Sequence, residues 1–114
     1  MPEGPEVKIT GESLAKWASS KKLEEVNVIS GRYLKKPIQG MSYALANAPL
    51  DIVGVGVHGK FIYWITRNDI FLYNTLGMTG YWSLDEQNHS RVEFKLSDKS
   101  VYFNDMRNFG TLKS

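Results

Sequence analysis

After residue 21 the chain becomes a series of short segments rich in β-branched and aromatic residues, separated by turn signals. Several segments alternate apolar with polar residues, which is the pattern of a strand with one buried face. The stretches RND after Thr66 and SDKS at residues 97–100 have the composition of hairpin turns. Many short strands joined by tight turns predict an antiparallel sandwich or a barrel-like sheet. The segments are LEEVNVIS, LDIVGVGVHG, KFIYWIT, DIFLYNTL, GYWSL, RVEFKL and SVYFNDM.

One amphipathic helix is predicted before the strands, over residues 3–21. Lys8, Glu12 and Lys16 are four residues apart and line its outer face. Gly11 argues against the helix, because an interior glycine costs about 1 kcal/mol relative to alanine. The stretch SYALANA favours a second, short helix between strands, and GRYLKKPIQG is typical of a basic loop. The apolar residues at helical spacing in the first helix are Val7, Leu14, Trp17 and Ala18.

Composition limits the function classes. At 114 residues the chain has the length of one domain, and its hydrophobic content of 42% is enough for a core. The absence of cysteine excludes disulfides and thiolate chemistry, and with only His58 and His89 we expect neither a metal site nor a cofactor. No apolar run approaches the roughly 20 residues that span a bilayer, so we expect an intracellular protein without membrane contact. A net charge of +2 requires any polyanion site to be local.

The opening stretch PEGPEV has two interpretations. Pro followed by Glu is a common helix opening, because the φ of proline suits the first turn and carboxylates favour the positive end of the helix dipole. Alternatively, removal of Met1 leaves Pro2 as a free secondary amine, which can attack an electrophilic carbon and form an iminium. Glu3 and Glu6 then lie beside a nucleophile. The second interpretation makes the N-terminus an active site.

Four separated motifs bear on that choice: PEGPEV, HGKF, LGMTG and DMRNFGT. Together, and in this order, they resemble the formamidopyrimidine-DNA glycosylase and endonuclease VIII family, whose members remove oxidised bases from DNA in base excision repair. The resemblance runs from Pro2 to Thr111. It implies that residues 1–114 are the N-terminal catalytic domain, an N-terminal helix followed by an antiparallel β-sandwich. The family's helix-two-turn-helix and its finger, which often carries zinc, are expected to lie outside these residues.

The resemblance implies roles at the active site for three residues of the opening motif, Pro2, Glu3 and Glu6. Pro2 matches the nucleophile that attacks C1′ of the damaged nucleotide and leaves a Schiff base, from which the DNA strand is cleaved by elimination. Glu3 matches the acid and base that moves protons at the sugar. Glu6, one helical turn further on, orients the Pro2 amine or is an ordinary first-turn carboxylate.

The other three motifs imply DNA contacts. Lys60 of HGKF matches a lysine that reaches the phosphates flanking the lesion, against the alternative of a solvated turn lysine. An extruded base leaves a gap in the duplex. Met78 of LGMTG matches one residue that fills it, and Arg107 and Phe109 of DMRNFGT match two more. The alternative for Met78 and Phe109 is a place in the core.

Two departures from the bacterial formamidopyrimidine type bear on substrate choice. Gly4 stands where that type commonly has leucine, and Asn108 stands where it commonly has a second arginine. The opening motif PEGPEV is similar to the endonuclease VIII side, whereas the set Met78, Arg107 and Phe109 is similar to the formamidopyrimidine side. Oxidised pyrimidines are slightly favoured over oxidised purines. The remaining aromatic residues are predicted to form the core and cross-strand contacts and not a base-stacking platform. They are Trp17, Tyr63, Trp64, Tyr73, Tyr81, Trp82 and Phe103.

The expected function is therefore a bifunctional DNA glycosylase and AP lyase that acts as a monomer on damaged double-stranded DNA. Two other classes remain open. A non-catalytic damaged-DNA binding domain, or an inactive fragment, would use Lys60, Arg107 and the gap-filling residues without Pro2 chemistry. A small isomerase with an N-terminal proline as its base is less favoured, because it has no need of HGKF or DMRNFGT.

Overall fold

The computed structural model describes residues 4–114, and their side chains from residue 6 onward. An N-terminal helix, α1, spans Gly4–Ala18, and a second helix, α2, spans Met41–Leu45. Neither helix is long and apolar enough to cross a bilayer. Eight strands complete this part of the chain: β1 Lys22–Val28, β2 Leu50–His58, β3 Phe61–Thr66, β4 Phe71–Thr75, β5 Gly80–Ser83, β6 Ser90–Leu96, β7 Ser100–Asp105 and β8 Thr111–Lys113.

The strands form one hydrogen-bonded succession in the order β5-β7-β6-β1-β2-β3-β4-β8, and the pairs between them are antiparallel. The pairing of β1 with β2 is short, with Lys22 opposite Asp51 and Leu23 opposite Leu50. This narrow connection divides the succession into two four-stranded halves, β5-β7-β6-β1 and β2-β3-β4-β8.

The two halves face each other across an aromatic core. The ring of Trp64 on β3 lies 5.6 Å from that of Trp82 on β5 and 4.8 Å from that of Phe94 on β6. The Trp82 indole also donates a hydrogen bond of 2.9 Å to the side-chain oxygen of Asn74 on β4, which joins the two halves through a buried polar contact. The predicted antiparallel β-sandwich with one N-terminal helix is confirmed.

Helix α1 packs on β2 through the predicted apolar stripe, with Val7, Leu14 and Ala18 buried. The helix ends at Ala18 and not near residue 21 as predicted. The physical reason is Ser20, which takes a left-handed conformation with φ 69° and donates its N–H to the Ile52 carbonyl. This hydrogen bond turns the chain out of the helix and into β1.

Gly11 has a packing reason for its place in the helix. A Cβ atom built on it would collide with Cγ2 of Val57 on β2, whereas Val57 Cβ would lie 3.7 Å away, at ordinary contact distance. The helix therefore approaches the strand more closely than a side chain at position 11 allows.

The predicted turns and short helix are confirmed. The RND turn joins β3 to β4, with the Thr66 N–H donating to the Ile70 carbonyl at 3.1 Å. The SDKS turn joins β6 to β7, with the Leu96 N–H donating to the Lys99 carbonyl at 2.7 Å. Helix α2 begins at Met41, one residue before the stretch SYALANA, and takes in its first four residues.

The prediction that the remaining aromatic residues form core and cross-strand contacts is confirmed for the buried rings and for Tyr73, which lies opposite Tyr63 across β3 and β4, but not every member is a core residue. Trp64, Trp82 and Phe103 are buried, but Tyr73 on β4 and Tyr81 on β5 are exposed. The side chains of a strand alternate between its two faces, and these tyrosines fall on the outer faces of the sandwich. The sequence pattern alone does not distinguish the faces, because both carry aromatic residues.

Substitution of Gly11 tests the helix contact. Gly11→Ala should lower the free energy of unfolding by about 1 to 3 kcal/mol, because the new methyl group overpacks against Val57. In a Val57→Ala background the same change should stabilise the protein by up to about 1 kcal/mol, since only the helix propensity of alanine is left. Urea denaturation of the four proteins measures both effects. Equal effects of Gly11→Ala in the two backgrounds would contradict the close approach.

Candidate nucleic-acid interface

The strand register brings three connections to one end of the β2-β3-β4-β8 half. Phe61, the first residue of β3, pairs with Thr75, the last of β4, and Thr75 pairs with Thr111, the first of β8. The turn at residues 59–60, the loop at 76–79 and the loop at 106–110 therefore leave the sheet side by side. We call these three segments the loop end.

Lys60 lies in the two-residue turn between β2 and β3 and is exposed. Gly59 precedes it with φ +59°, the left-handed conformation that such a hairpin turn requires at its first central residue. Gly59 also lines one cavity with Lys8 and Gly11 of α1. The N-terminal half of the helix thus runs along β2 toward the loop end.

A buried carboxylate connects the other two loops. Asp105, the last residue of β7, is fully buried and accepts hydrogen bonds from the hydroxyl of Thr79 and from the Gly110 N–H, the latter at 2.7 Å. Thr79 in turn accepts the N–H of Arg107 at 3.0 Å. Since Thr79 belongs to one loop and Gly110 to the other, the carboxylate holds the two loops in one arrangement.

Glycines let the same two loops approach each other. Gly77 has φ +66°, and a Cβ atom on it would lie 2.9 Å from the Gly110 nitrogen. A Cβ atom on Gly110 would lie 2.6 Å from the Thr75 carbonyl oxygen and 3.0 Å from the Asp105 carboxylate. The loops meet backbone to backbone, so no larger residue fits at either glycine without a shift of the chain.

The loop end presents Met78, Arg107 and Phe109 to solvent, beside the exposed Lys60 and Met106. Met78 is 58% exposed and Phe109 is 66% exposed, and Arg107 is exposed between them in the chain. The alternative that Met78 and Phe109 are core residues is therefore wrong. Large apolar side chains on rigidly held loops have no partner within this part of the chain and are free to contact a ligand.

The opening motif is only partly described. Glu6 lies in the first turn of α1 and is exposed, whereas Pro2 and Glu3 lie outside the described residues. Among residues 4–114, no three His, Asp or Glu side chains are close enough together to hold a metal ion.

Comparison with known proteins agrees with this geometry. A sequence model of the formamidopyrimidine-DNA glycosylase N-terminal domain matches residues 1–112. The chain belongs to this family. The formamidopyrimidine-DNA glycosylase of Thermus thermophilus is 32% identical over 112 residues, which are 98% of this chain and 39% of that protein. The family match covers all four motifs on which the resemblance was based.

Solved structures show the same fold. The crystal structure of the MutM (Fpg) protein from Thermus thermophilus has a TM-score of 0.84 at 29% identity, over 98% of this chain and 40% of that one. A Lactococcus lactis formamidopyrimidine-DNA glycosylase bound non-covalently to DNA with an AP site has a TM-score of 0.84 at 22% identity, over 98% of this chain and 44% of that one. This chain thus spans about two fifths of the relatives it matches.

The sequence analysis missed the residues that hold the family's third and fourth motifs together. Asp105 lies in the motif DMRNFGT and Thr79 in the motif LGMTG, but the sequence assigns neither residue a role. Arg91 on β6 was not singled out, yet it donates to the carbonyls of Asp105 and Met106 at 2.9 and 3.1 Å. Sequence alone provides a weak signal for such residues, because it does not show whether an aspartate is buried or exposed.

Asp105→Asn tests the connection between the loops. An amide has one acceptor oxygen, so either the Thr79 hydroxyl or the Gly110 N–H loses its acceptor, and unfolding should become easier by about 1 to 3 kcal/mol. Chemical denaturation measures the loss, and hydrogen exchange should be faster at the Gly110 amide. Asp85→Asn, at an exposed loop position, should change neither quantity. An unchanged Gly110 amide in Asp105→Asn would argue against the connection.

Proposed function

We propose that this chain is the catalytic N-terminal domain of a bifunctional DNA glycosylase and AP lyase that removes oxidised bases from double-stranded DNA. The observation that carries the proposal is the loop end. In a chain of this family, the cations Lys60 and Arg107 and the exposed apolar side chains of Met78 and Phe109 project from one end of the sandwich. The N-terminal half of α1, which begins within the opening motif, lies toward the same end. The substrate is an oxidised base, with pyrimidines slightly preferred to purines.

The proposed reaction begins at Pro2 after removal of Met1. Its nitrogen forms a bond to C1′ of the damaged nucleotide as the bond from C1′ to the base breaks, and the N–H proton of the amine passes to the departing base. Glu3 protonates the ring oxygen, the sugar ring opens, and the nitrogen becomes an iminium, which is an electron sink. Loss of a proton from C2′ then expels the 3′ phosphate, and this elimination is the AP lyase step. A secondary amine suits this chemistry because its iminium retains a positive charge without an N–H.

The loop end supplies the DNA contacts in this proposal. Lys60, a mobile ammonium on a hairpin tip, binds phosphates beside the lesion. Met78 and Phe109 occupy the space of the extruded base, which would otherwise cost a few kcal/mol of stacking energy. Arg107 donates hydrogen bonds to the base opposite the gap. The buried Asp105 holds both loops in place, so little ordering is needed when DNA binds.

Trapping of the Schiff base tests the nucleophile. The full-length protein, incubated with abasic-site DNA and borohydride, should form a covalent adduct that mass spectrometry places on Pro2. Protein that retains Met1 is the matched control and should not be trapped at Pro2, because the proline nitrogen is then an amide. An adduct on Lys60 would contradict the assignment.

Glu3→Gln separates catalysis from helix capping when base excision is assayed on duplex DNA that carries an oxidised base and stability is measured by denaturation. Base excision should be abolished, while stability falls by no more than the ~0.3 to 1 kcal/mol of a charge at a helix N-terminus. Large unfolding together with intact chemistry would favour the capping interpretation.

The alternative of a non-catalytic damaged-DNA binding domain is favoured by one observation, since the exposed side chains of the loop end need no Pro2 chemistry to bind. Tight binding to lesion DNA without any trapped adduct would support it.

Alanine substitutions test the gap-filling role. Met78→Ala or Phe109→Ala should weaken binding to lesion DNA by about 1 to 3 kcal/mol, the range of one base-stacking contact. Stability should barely change, because both side chains are exposed. Arg107→Ala should reduce discrimination of the opposite base by about 1 to 3 kcal/mol. Parallel binding and denaturation measurements decide the matter, and a stability loss without a binding loss would remove these residues from the site.

A further inference from the structure

A second surface, separate from the loop end, carries an unusual concentration of rings. Four aromatic side chains of β3 and β4 lie on the outer face of the β2-β3-β4-β8 half, and we call this surface the aromatic face. Tyr63 and Tyr73 are directly paired across the two strands. The members of the aromatic face are Phe61, Tyr63, Phe71 and Tyr73.

The rings of the aromatic face are accessible. Phe61 is 49% exposed, and Phe71 and Tyr73 are each 38% exposed. The Phe71 and Tyr73 rings lie 6.5 Å apart and within 28° of parallel. Tyr63 lies flat over Gly56, where an added Cβ would be 2.5 Å from the tyrosine ring. The glycine allows the rings to lie along the sheet and leave a shallow depression of about 670 Å³ between them.

The charged side chains that line the aromatic face and its neighbouring depression, among the described residues, are basic. His58 and Lys113 line the depression, and the Lys113 ammonium lies 5.9 Å from the centre of the Tyr73 ring. A neighbouring depression shares Phe61 and Lys113 and adds Arg32 and Lys36. No Asp or Glu is among the described residues that line either depression. Rings among cations without carboxylates fit a polyanion that also offers flat apolar groups.

We infer that the aromatic face binds a single-stranded stretch of nucleic acid, with bases stacked on Phe61, Phe71 and Tyr73 and phosphates beside Lys113 and His58. Unpaired bases expose their faces to such a surface, whereas bases inside a duplex are already stacked on one another. An antiparallel sheet with exposed rings is a known solution for this kind of ligand.

The position of the face agrees with this ligand. Phe61 directly follows Lys60 in the chain, and its neighbours in the register are His58 and Thr75. The aromatic face therefore begins where the loop end finishes. An unpaired strand that contacts Lys60 at the loop end can continue directly onto the neighbouring ring of Phe61.

Binding of an undamaged oligonucleotide tests this inference independently of the proposed glycosylase chemistry. Fluorescence anisotropy with a labelled 12-nucleotide oligo-dT should give a dissociation constant that rises about five- to one-hundred-fold in Tyr73→Leu, because leucine keeps an apolar side chain but removes the ring. Tyr73→Phe keeps the ring and should bind like the parent protein. Tyr43→Ala, at an exposed tyrosine of α2 that lines neither depression, is the matched control and should also bind normally.

The salt dependence provides a second readout. In Lys113→Gln the slope of log K against log salt concentration should become shallower by about 0.7, the value for one phosphate contact of a single strand. Circular dichroism and denaturation should show that each variant is folded. Unchanged oligo-dT binding in folded Tyr73→Leu would overturn the inference. So would a loss of self-association, measured by sedimentation, that occurs without a loss of oligonucleotide binding, because the face would then be a contact between protein chains.

Discussion

The antiparallel register of β2, β3, β4 and β8 is the constraint on which the candidate sites depend. It aligns Phe61, Thr75 and Thr111 in one row, so that three connections distant in sequence leave the sandwich at one end. The same register sets which face each side chain joins, because a shift of one residue would exchange the inner and outer faces of a strand. Trp64 enters the core and Tyr63 points outward for this reason.

The loop end combines rigid support with exposed contact groups. Its apolar side chains project into solvent, but its backbone is held from beneath by the buried Asp105 and by contact between Gly77 and Gly110. Arg91 adds hydrogen bonds from β6, in the other half of the sandwich. A surface that exposes Met78 and Phe109 without such support would tend to collapse onto the protein. The buried hydrogen bonds of Asp105 therefore keep the exposed apolar side chains in position.

The aromatic face differs from the loop end in the elements that carry its side chains. There the rings lie on regular strands and not on loops, and Gly56 of β2 leaves room for the Tyr63 ring. Cations from β8 and from the segment after β1 surround the rings. The two surfaces adjoin at Lys60 and Phe61, so one ligand can contact both. A damaged duplex with an unpaired strand can place paired DNA at the loop end and unpaired DNA on the aromatic face.

The sequence by itself determined the N-terminal helix, the short second helix, the many short strands, the hairpin turns and the family, because side-chain period, turn composition and motif order are local properties of the chain. It also singled out Lys60, Met78, Arg107 and Phe109 as candidates. Only the tertiary structure decided that Met78 and Phe109 are exposed, that Asp105 is the buried acceptor between two loops, and that Tyr73 lies outside the core. These facts depend on which strands pair and in what register. The paired residues are far apart in the chain, so a local sequence pattern does not show the pairing.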